Sequence, residues 1–199
     1  MHEPPDPNAA RTGAARSWWR GRSKGRAVDG PLPTVRLVVL TDTEVDLRAA
    51  VVALSPRPAQ EPFSGRARET LTWSDGRVDM TAFAIVAGGE AVGFGIIDRA
   101  ELDLVALTPR PDRAALLRSF YVAADHQGHG FGRAGAAAVG PLVRALAPMV
   151  TEVVLTVNEQ NAPALRAYLA AGFVDDGDRF LGGSLGPQHI LRLPLPPIR

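Results

Sequence analysis

The sequence predicts an α/β fold, with a mixed sheet flanked by helices. Three observations carry it. Short apolar runs of strand length alternate with longer stretches of helical composition. Residues 80–86 and 91–98 flank Gly88-Gly89 and read as a β-hairpin with a glycine turn. Residues 179–182 and 188–193 read as a closing strand pair. Strands interleaved with helices and ending in a hairpin give one mixed sheet with helices on its faces.

The elements follow in order. Residues 34–40 form a first strand, with Val35, Leu37 and Val39 alternating against Arg36. Thr41-Asp42-Thr43-Glu44 fits a capping box, with Thr41 as N-cap and Glu44 at N3. It opens a helix to about Leu54, whose buried face is marked by Val45, Ala49, Val52 and Ala53. Residues 55–76 start Pro-rich and polar, and leave room for a short helix over 66–72. After the hairpin, residues 101–107 extend it, and Thr108-Pro109-Arg110-Pro111 makes a turn. Residues 114–122 are an apolar strand. Residues 133–146 are an Ala-rich helix, expected to be short or kinked because Gly135, Gly140 and Pro141 are poor helix formers. Residues 152–157 are a further strand. Asn161 N-caps a helix to Ala171, with Pro163 tolerated in the first turn and Gly172 suited to the C′ position. The chain has no internal repeats.

Gln127-Gly128-His129-Gly130-Phe131-Gly132 lies between a strand and a helix N-terminus. The first N–H groups of a helix have no intrahelical partner, and the helix dipole adds partial positive charge. Glycines let such N–H groups converge on one anion. The turn is therefore a place to hold phosphate.

Three phosphate sites compete for this turn. Gly130-Phe131-Gly132-Arg133-Ala134-Gly135 matches the dinucleotide fingerprint, with Glu159 after the next strand. However, residues 123–127 separate those glycines from their strand, and too few βα units remain for a doubly wound domain. A nucleotide P-loop fails because no Gly-Lys-Ser/Thr follows. The third is a coenzyme A pyrophosphate site. Gln-x-x-Gly-x-Gly, carried by Gln127, Gly130 and Gly132, resembles the acetyl-CoA signature of the GNAT superfamily of N-acetyltransferases. Residues 161–173 resemble that superfamily's Asn-x-x-Ala-x-x-x-Tyr-x-x-x-Gly-Phe segment, through Asn161, Ala164, Tyr168, Gly172 and Phe173. The two motifs stand in the family's order. Where the family often has Pro three residues before the Gln, this chain has Ala124.

The resemblance implies a mostly antiparallel central sheet with a splayed strand pair that admits the coenzyme. It implies that Phe120, Tyr121 and Val122 run along the pantetheine arm, with the Val122 N–H or one beside it facing the thioester oxygen. It implies that Gln127, Gly128, His129, Gly130, Phe131, Gly132 and Arg133 cradle the pyrophosphate, with Arg133 adding charge. Asn161, assisted by Asn158, would bond the pantetheine or phosphate region. Tyr168 is implied as general acid to the sulfur; the alternative for Tyr168 is plain packing at the sheet edge.

Acetyl transfer to an amine needs a neutral nitrogen, although a primary amine has a pKa near ~10 in water. The developing oxyanion needs fixed donors, and the leaving thiolate benefits from a proton. A ternary-complex mechanism meets these needs without a covalent enzyme intermediate, and the absence of Cys fits that. The general base is not readable among Glu61, Glu69, Asp98, Glu101 and Asp103. His126 and His189 have no metal-ligand partner at a credible spacing, so no metal is expected. Gly182-Gly183-Ser184-Leu185-Gly186 fits G-x-S-x-G, but a strand follows it and no acid precedes His189, so it reads as a hairpin turn.

Composition bounds the rest. The 199 residues, 46% hydrophobic, make one globular domain over 31–199 preceded by a tail. Residues 1–30 carry Pro4, Pro5 and Pro7, then a run of arginines and Lys24, and are expected to be disordered despite Trp18-Trp19. A net charge of +1 argues against a nucleic-acid binder. No run is long enough to span a membrane, and a cytoplasmic location is expected. The expected activity is transfer from acetyl-CoA to a primary amine, most readily a small molecule, by a monomer or homodimer. A non-catalytic acyl-CoA sensor or interaction module on the same fold is the alternative.

Overall fold

The structure, a computed structural model, describes residues 31–196. The expected basic tail, residues 1–30, lies outside the described residues. The elements are β1 (Arg36–Val39), α1 (Val45–Ala53), α2 (Glu61–Ser64), α3 (Ala67–Ser74), β2 (Met80–Ala87), β3 (Glu90–Asp98), α4 (Glu101–Leu104), β4 (Ala114–Val122), α5 (Phe131–Leu146), β5 (Glu152–Asn158), α6 (Ala162–Ala170), β6 (Val174–Phe180) and β7 (Gln188–Pro194). The strands form one sheet in the order β1-β2-β3-β4-β5-β7-β6. Every neighbouring pair is antiparallel except β4–β5, as expected for a mixed, mostly antiparallel sheet.

The sheet is covered on both faces. Phe83, Ile85, Leu117 and Val122 pack against Val139 and Val143 of α5 and Tyr168 of α6. Ala82, Ala84, Phe94, Ile96 and Tyr121 pack against Val51 of α1 and Ala67 and Leu71 of α3. Each such large side chain, fully buried, contributes about 1.5–3 kcal/mol. These faces therefore outweigh local propensity wherever the two conflict.

α5 shows that conflict. It runs for sixteen residues through Gly135, Gly140 and Pro141, so the expected shortening does not occur. Gly135 and Gly140 are buried, and the space a Cβ would need is already filled. A Cβ at Gly135 would stand 3.1 Å from Ile85 Cδ1 and 3.2 Å from Phe120 Cζ. The glycines let α5 lie close to the sheet, and that packing offsets their cost of roughly 1 kcal/mol each.

Four further expectations are corrected. The capping box does not form. α1 begins at Val45 with Glu44 as N-cap, and Thr41 Oγ1 bonds Thr43 Oγ1 at 2.8 Å. The inward stripe of α1 is Leu47, Val51 and the C-cap Leu54, of which only Val51 is fully buried, while Val45, Ala49, Val52 and Ala53 are exposed. Residues 101–107 do not extend the hairpin. They open with α4, and Leu104 and Leu107, three apart, bury together on one side of the turn. The closing pair starts earlier than residues 179–182. β6 spans Val174–Phe180, with a register break between Asp175 and Arg179 at Gly177, whose φ is 94°. A short helix was expected over 66–72; α3 (Ala67–Ser74) occupies that stretch, preceded by α2.

The site arises from one irregularity in the sheet. β4 and β5 pair only over Ala114–Leu116 with Glu152–Val154. Beyond Leu116, β4 stays with β3 and β5 stays with β7, so a gap opens between them. A bulge sharpens the divergence. Arg118 pairs with Ile96 and Tyr121 with Phe94, leaving Ser119 and Phe120 opposite Gly95. Ser119 has φ 51°, which is costly for a residue with a Cβ.

Candidate active site

A cavity of about 820 Å³ occupies the gap between β4 and β5. Every residue the sequence marks for the site lines it except His129, whose exposed ring lies against the His126 carbonyl and Phe131. A further wall comes from α2 and the loop before it, and the β6–β7 loop closes another side.

At one end lies the turn. Residues 124–126 make a single 3₁₀ turn, and Gly128 and Gly130 take φ 89° and 83°. Gly130 is the N-cap of α5. Among the described residues, no acceptor engages the backbone N–H groups of residues 128–133. The first N–H to find one is Ala134, which donates to the Gly130 carbonyl at 3.0 Å. Six consecutive free donors at a helix N-terminus make a strong anion cradle.

The strand beside the gap is oriented by β3. The Ala123 N–H donates to the Val92 carbonyl at 2.9 Å. The Tyr121 carbonyl also faces β3, since a Cβ on Gly93 would stand 2.5 Å from it. The intervening peptide is trans, so its N–H, that of Val122, points away from β3 and into the gap. The Tyr121 side chain goes to the opposite face. Its hydroxyl accepts from the Ala67 N–H at 3.0 Å and donates to the Leu54 carbonyl at 3.2 Å, and burial raises its pKa.

Gln127 is held from both sides. Its Nε2 donates to the Val122 carbonyl at 2.9 Å and to Gln60 Oε1 at 2.6 Å. Arg133 lines the cavity, but its Nε donates to the Ala170 carbonyl at the end of α6, at 3.0 Å. Asn161 caps α6 by accepting from the Ala164 N–H at 3.4 Å. Asn158 is buried and engaged at both ends of its amide. It donates to the Leu185 carbonyl at 2.9 Å and accepts from the Gln160 N–H at 2.9 Å, so it ties down the β6–β7 loop.

Tyr168 is buried against Phe120 and Phe173, with ring centroids 5.8 and 5.6 Å away. Among the described residues its hydroxyl has no hydrogen-bond partner, and burial pushes its pKa well above the ordinary phenol value. It is a protonated donor beside the gap.

Four of the five candidate carboxylates have placed side chains. Glu61 pairs with Arg66 at 2.7 Å, and both Glu61 and Glu69 border a separate, shallow depression. Asp98 is fully buried and accepts from Arg118 Nη1 at 2.7 Å and the Ala100 N–H at 2.9 Å. Asp103 accepts from the same Arg118 nitrogen at 3.1 Å and lines the cavity. The side chain of Glu101 lies outside the described residues. Arg118 stacks over Trp73, 4.7 Å from its centroid. Sequence reading missed this Arg118 cluster and the role of Gln60. One signal was available: Arg118 is the lone charged residue inside the largely apolar strand 114–122. Ser184 of the G-x-S-x-G run sits in the β6–β7 loop and, among the described residues, has no His or carboxylate partner, as expected of a hairpin turn. No group of three or more metal-ligating side chains occurs among the described residues.

Known proteins resemble this chain in sequence and in fold. Residues 48–173, more than half of the chain, match the family described as "Acetyltransferase (GNAT) family". The uncharacterized N-acetyltransferase YbbJ of Bacillus subtilis (strain 168) is 31% identical over 129 residues, which are 65% of this chain and 79% of that protein. The aminoglycoside acetyltransferase AAC(6')-Ib in complex with coenzyme A has the same fold, with a TM-score of 0.59 at 19% identity, over 81% of this chain and 95% of that one. The spermidine N-acetyltransferase of Vibrio cholerae, in complex with coenzyme A and spermine, follows at a TM-score of 0.57 and 16% identity, over 81% and 95%. The structures carry the fold, and the family match and the curated relative carry the descent. Together they settle what the paired motifs suggested: the chain belongs to the GNAT family of acetyltransferases.

Proposed function

We propose that the protein transfers an acetyl group from acetyl-CoA directly to a primary amine of a small molecule, both being bound at once. The observation that carries this is the row of six N–H groups at residues 128–133, unpartnered among the described residues, at the mouth of an open strand gap. The coenzyme supplies an activated acyl group and a tail of phosphates. The turn holds the pyrophosphate through backbone donors, which need no lysine. The exposed edge of β4, at Phe120 to Val122, pairs with the amide-bearing arm as a strand would. Asn161 offers its free amide N–H groups nearby. The gap-facing N–H groups of that edge, from Val122 back toward Phe120, are fixed donors for the oxygen that gains charge. Tyr168, kept protonated by burial, gives its proton to the departing sulfur.

Melting the protein with acetyl-CoA, coenzyme A and NAD in turn tests this reading. A ligand at ~100 times its Kd adds about 2.7 kcal/mol, a shift of several degrees for a chain of this size. We expect a shift with both forms of coenzyme A and none with NAD. No shift with either form of the coenzyme would sink the proposal.

A further inference from the structure

The cavity treats the two ends of a bound coenzyme differently. The phosphate turn follows the C-terminal end of β4, and the gap narrows from there toward the fork at Leu116 and Val154. From Val122 back to Leu116, the strand covers about 20 Å at 3.3 Å per residue. An arm anchored at the turn and running into the gap therefore brings its reactive end level with Phe120 to Arg118. Asp103 lies at that level, 3.1 Å from Arg118 Nη1. It is the one carboxylate among the described residues that line the cavity.

Asp103 is also a charge left over. With both carboxylates ionised, Asp98, Asp103 and Arg118 sum to a single negative charge; burial raises the Asp98 pKa and Asp103 adds to that, while the Ala100 N–H on one oxygen and Arg118 on the other oppose it. Arg118 is held in turn on the Trp73 ring, which it shares with Arg77. Among the described residues, the other basic side chains lining the cavity, His126 and Arg133, lie at the phosphate end, and the remaining titratable groups there are the phenols of Tyr121 and Tyr168. An amine reaches the site as an ammonium, because its pKa is near ~10. It meets one surplus negative charge, and any second cation would meet Arg118 instead.

We infer that Asp103 docks the acceptor as an ammonium and takes its proton, and that the acceptor is an amine with one positive charge rather than a polycation. This rests on the acetyltransferase reading above. In the reaction, one ammonium proton passes to the Asp103 carboxylate and then to water. The freed nitrogen lone pair forms the C–N bond, and the C–S bond breaks with its electrons going to sulfur. Sulfur takes a proton from Tyr168, and the proton lost from the new amide nitrogen restores that phenol. Arg118 and Asp98 are positioning residues that fix where Asp103 stands.

The test uses ethanolamine and benzylamine as single cations, and spermidine and kanamycin as polycations. Their binding to the coenzyme A-loaded protein is measured by calorimetry near neutral pH, and thiol release from acetyl-CoA across pH. We expect the monoamines to bind and react better than the polycations. Asp103→Asn should weaken monoamine binding by ~10-fold or more, about 1.4 kcal/mol. Its kcat/KM should recover as pH rises toward the amine's own pKa, and Asp103→Glu should keep most of the wild-type value. Unchanged binding and pH profile in Asp103→Asn would overturn the inference. So would preference for spermidine or kanamycin, or binding of none of the four amines. The acetyl-CoA melting shift of each variant separates these results from failure of the acetyltransferase reading, which alone predicts that shift.

Discussion

Gln127 braces Val122: its Nε2 donates to the Val122 carbonyl at 2.9 Å, and the same nitrogen reaches Gln60 Oε1 at 2.6 Å. The signature glutamine is therefore a strut by its side chain. It joins the end of β4, the phosphate turn and the segment leading into α2. The Val122 carbonyl lies on the gap side of the strand, where no β-sheet neighbour can satisfy it. A side chain that carries two donors on one nitrogen fits that place, and a carboxylate does not.

Removing the strut should loosen both walls. Gln127→Ala deletes two hydrogen bonds worth about 0.5–1.5 kcal/mol each. We expect the melting temperature to fall by several degrees and acetyl-CoA to bind more weakly. Gln127→Glu should not rescue, since its carboxylate would face two oxygen acceptors. Thermal melts with and without acetyl-CoA check this, and wild-type behaviour of Gln127→Glu would refute the strut.

Gly130 should prove indispensable at the turn. Its φ of 83° is strained for any residue with a Cβ, and that Cβ would stand 3.2 Å from Pro33 Cδ. Gly130→Ala is expected to cost about 1–3 kcal/mol, or else to shift the turn and spoil the donor row. The measurement is the melting shift that acetyl-CoA induces. A full shift in Gly130→Ala would mean the row does not need this backbone.

The phenol of Tyr168 should matter to the reaction and hardly at all to the fold. Tyr168→Phe keeps the packing on Phe120 and Phe173 and loses no protein hydrogen bond among the described residues. Stability near neutral pH should change by less than about 0.5 kcal/mol. The turnover number should fall by roughly 100-fold or more, with coenzyme affinity held. Burial raises the folded-state pKa above that of the unfolded chain. Stability is therefore intact below the ordinary phenol value of ~10 and declines as pH rises beyond it. Tyr168→Phe should soften that alkaline decline, which melts above pH ~10 would reveal. An unaltered turnover number would leave Tyr168 as core packing alone.

How much of this was legible in the sequence depended on the range of the interaction. The phosphate turn could be read because glycines at fixed spacing, a strand before and a helix after are all local. The α6 segment could be read for the same reason, through Asn161 at its cap and Gly172 past its end. The phase of α1 was misjudged because Val45, Val51 and Val52 look alike in sequence, and only Ala67 and Leu71 on α3 select Val51. β6 lacks alternation, since Asp175, Asp176, Gly177 and Asp178 share no apolar face and the strand bulges at Gly177. Gln60 lies 67 residues from the Gln127 it supports, and no local pattern encodes that pairing.

The β6–β7 ribbon should set the acid limit of the fold. Burial alone would raise the pKa of Asp175, but the Gly177 N–H at 2.9 Å, the His189 ring at 2.6 Å and Arg179 outweigh it and lower the pKa. The folded state therefore holds the carboxylate to lower pH than the unfolded chain does. The stability it confers is present above the ordinary value of ~3.9 and is lost as pH falls below it. Asp175→Asn should be less stable than wild type near neutral pH and converge with it in strong acid. Unfolding followed by circular dichroism from neutral to acid pH checks the convergence. Parallel curves would exclude this carboxylate.

Gly93 and Gly95 offer a paired test of the gap itself. Both lie in β3, and both are too crowded to accept a side chain. At Gly95 the added Cβ would meet the Phe83 ring at 2.5 Å, a purely core contact. At Gly93 it would meet the Tyr121 carbonyl at 2.5 Å, the Ile85 Cδ1 at 2.8 Å and the Val122 Cα at 3.2 Å. That second clash pushes on the peptide whose N–H enters the gap. Both Ala variants should lose roughly 1–3 kcal/mol of stability by overpacking. Only Gly93→Ala should also weaken acetyl-CoA binding, because it tilts the β4 edge that the arm must pair with. Equal coenzyme-induced melting shifts in the two variants would show that the β4 edge is not where the coenzyme binds. A smaller shift in Gly93→Ala alone would tie the coenzyme to Val122 with no change to any side chain lining the cavity.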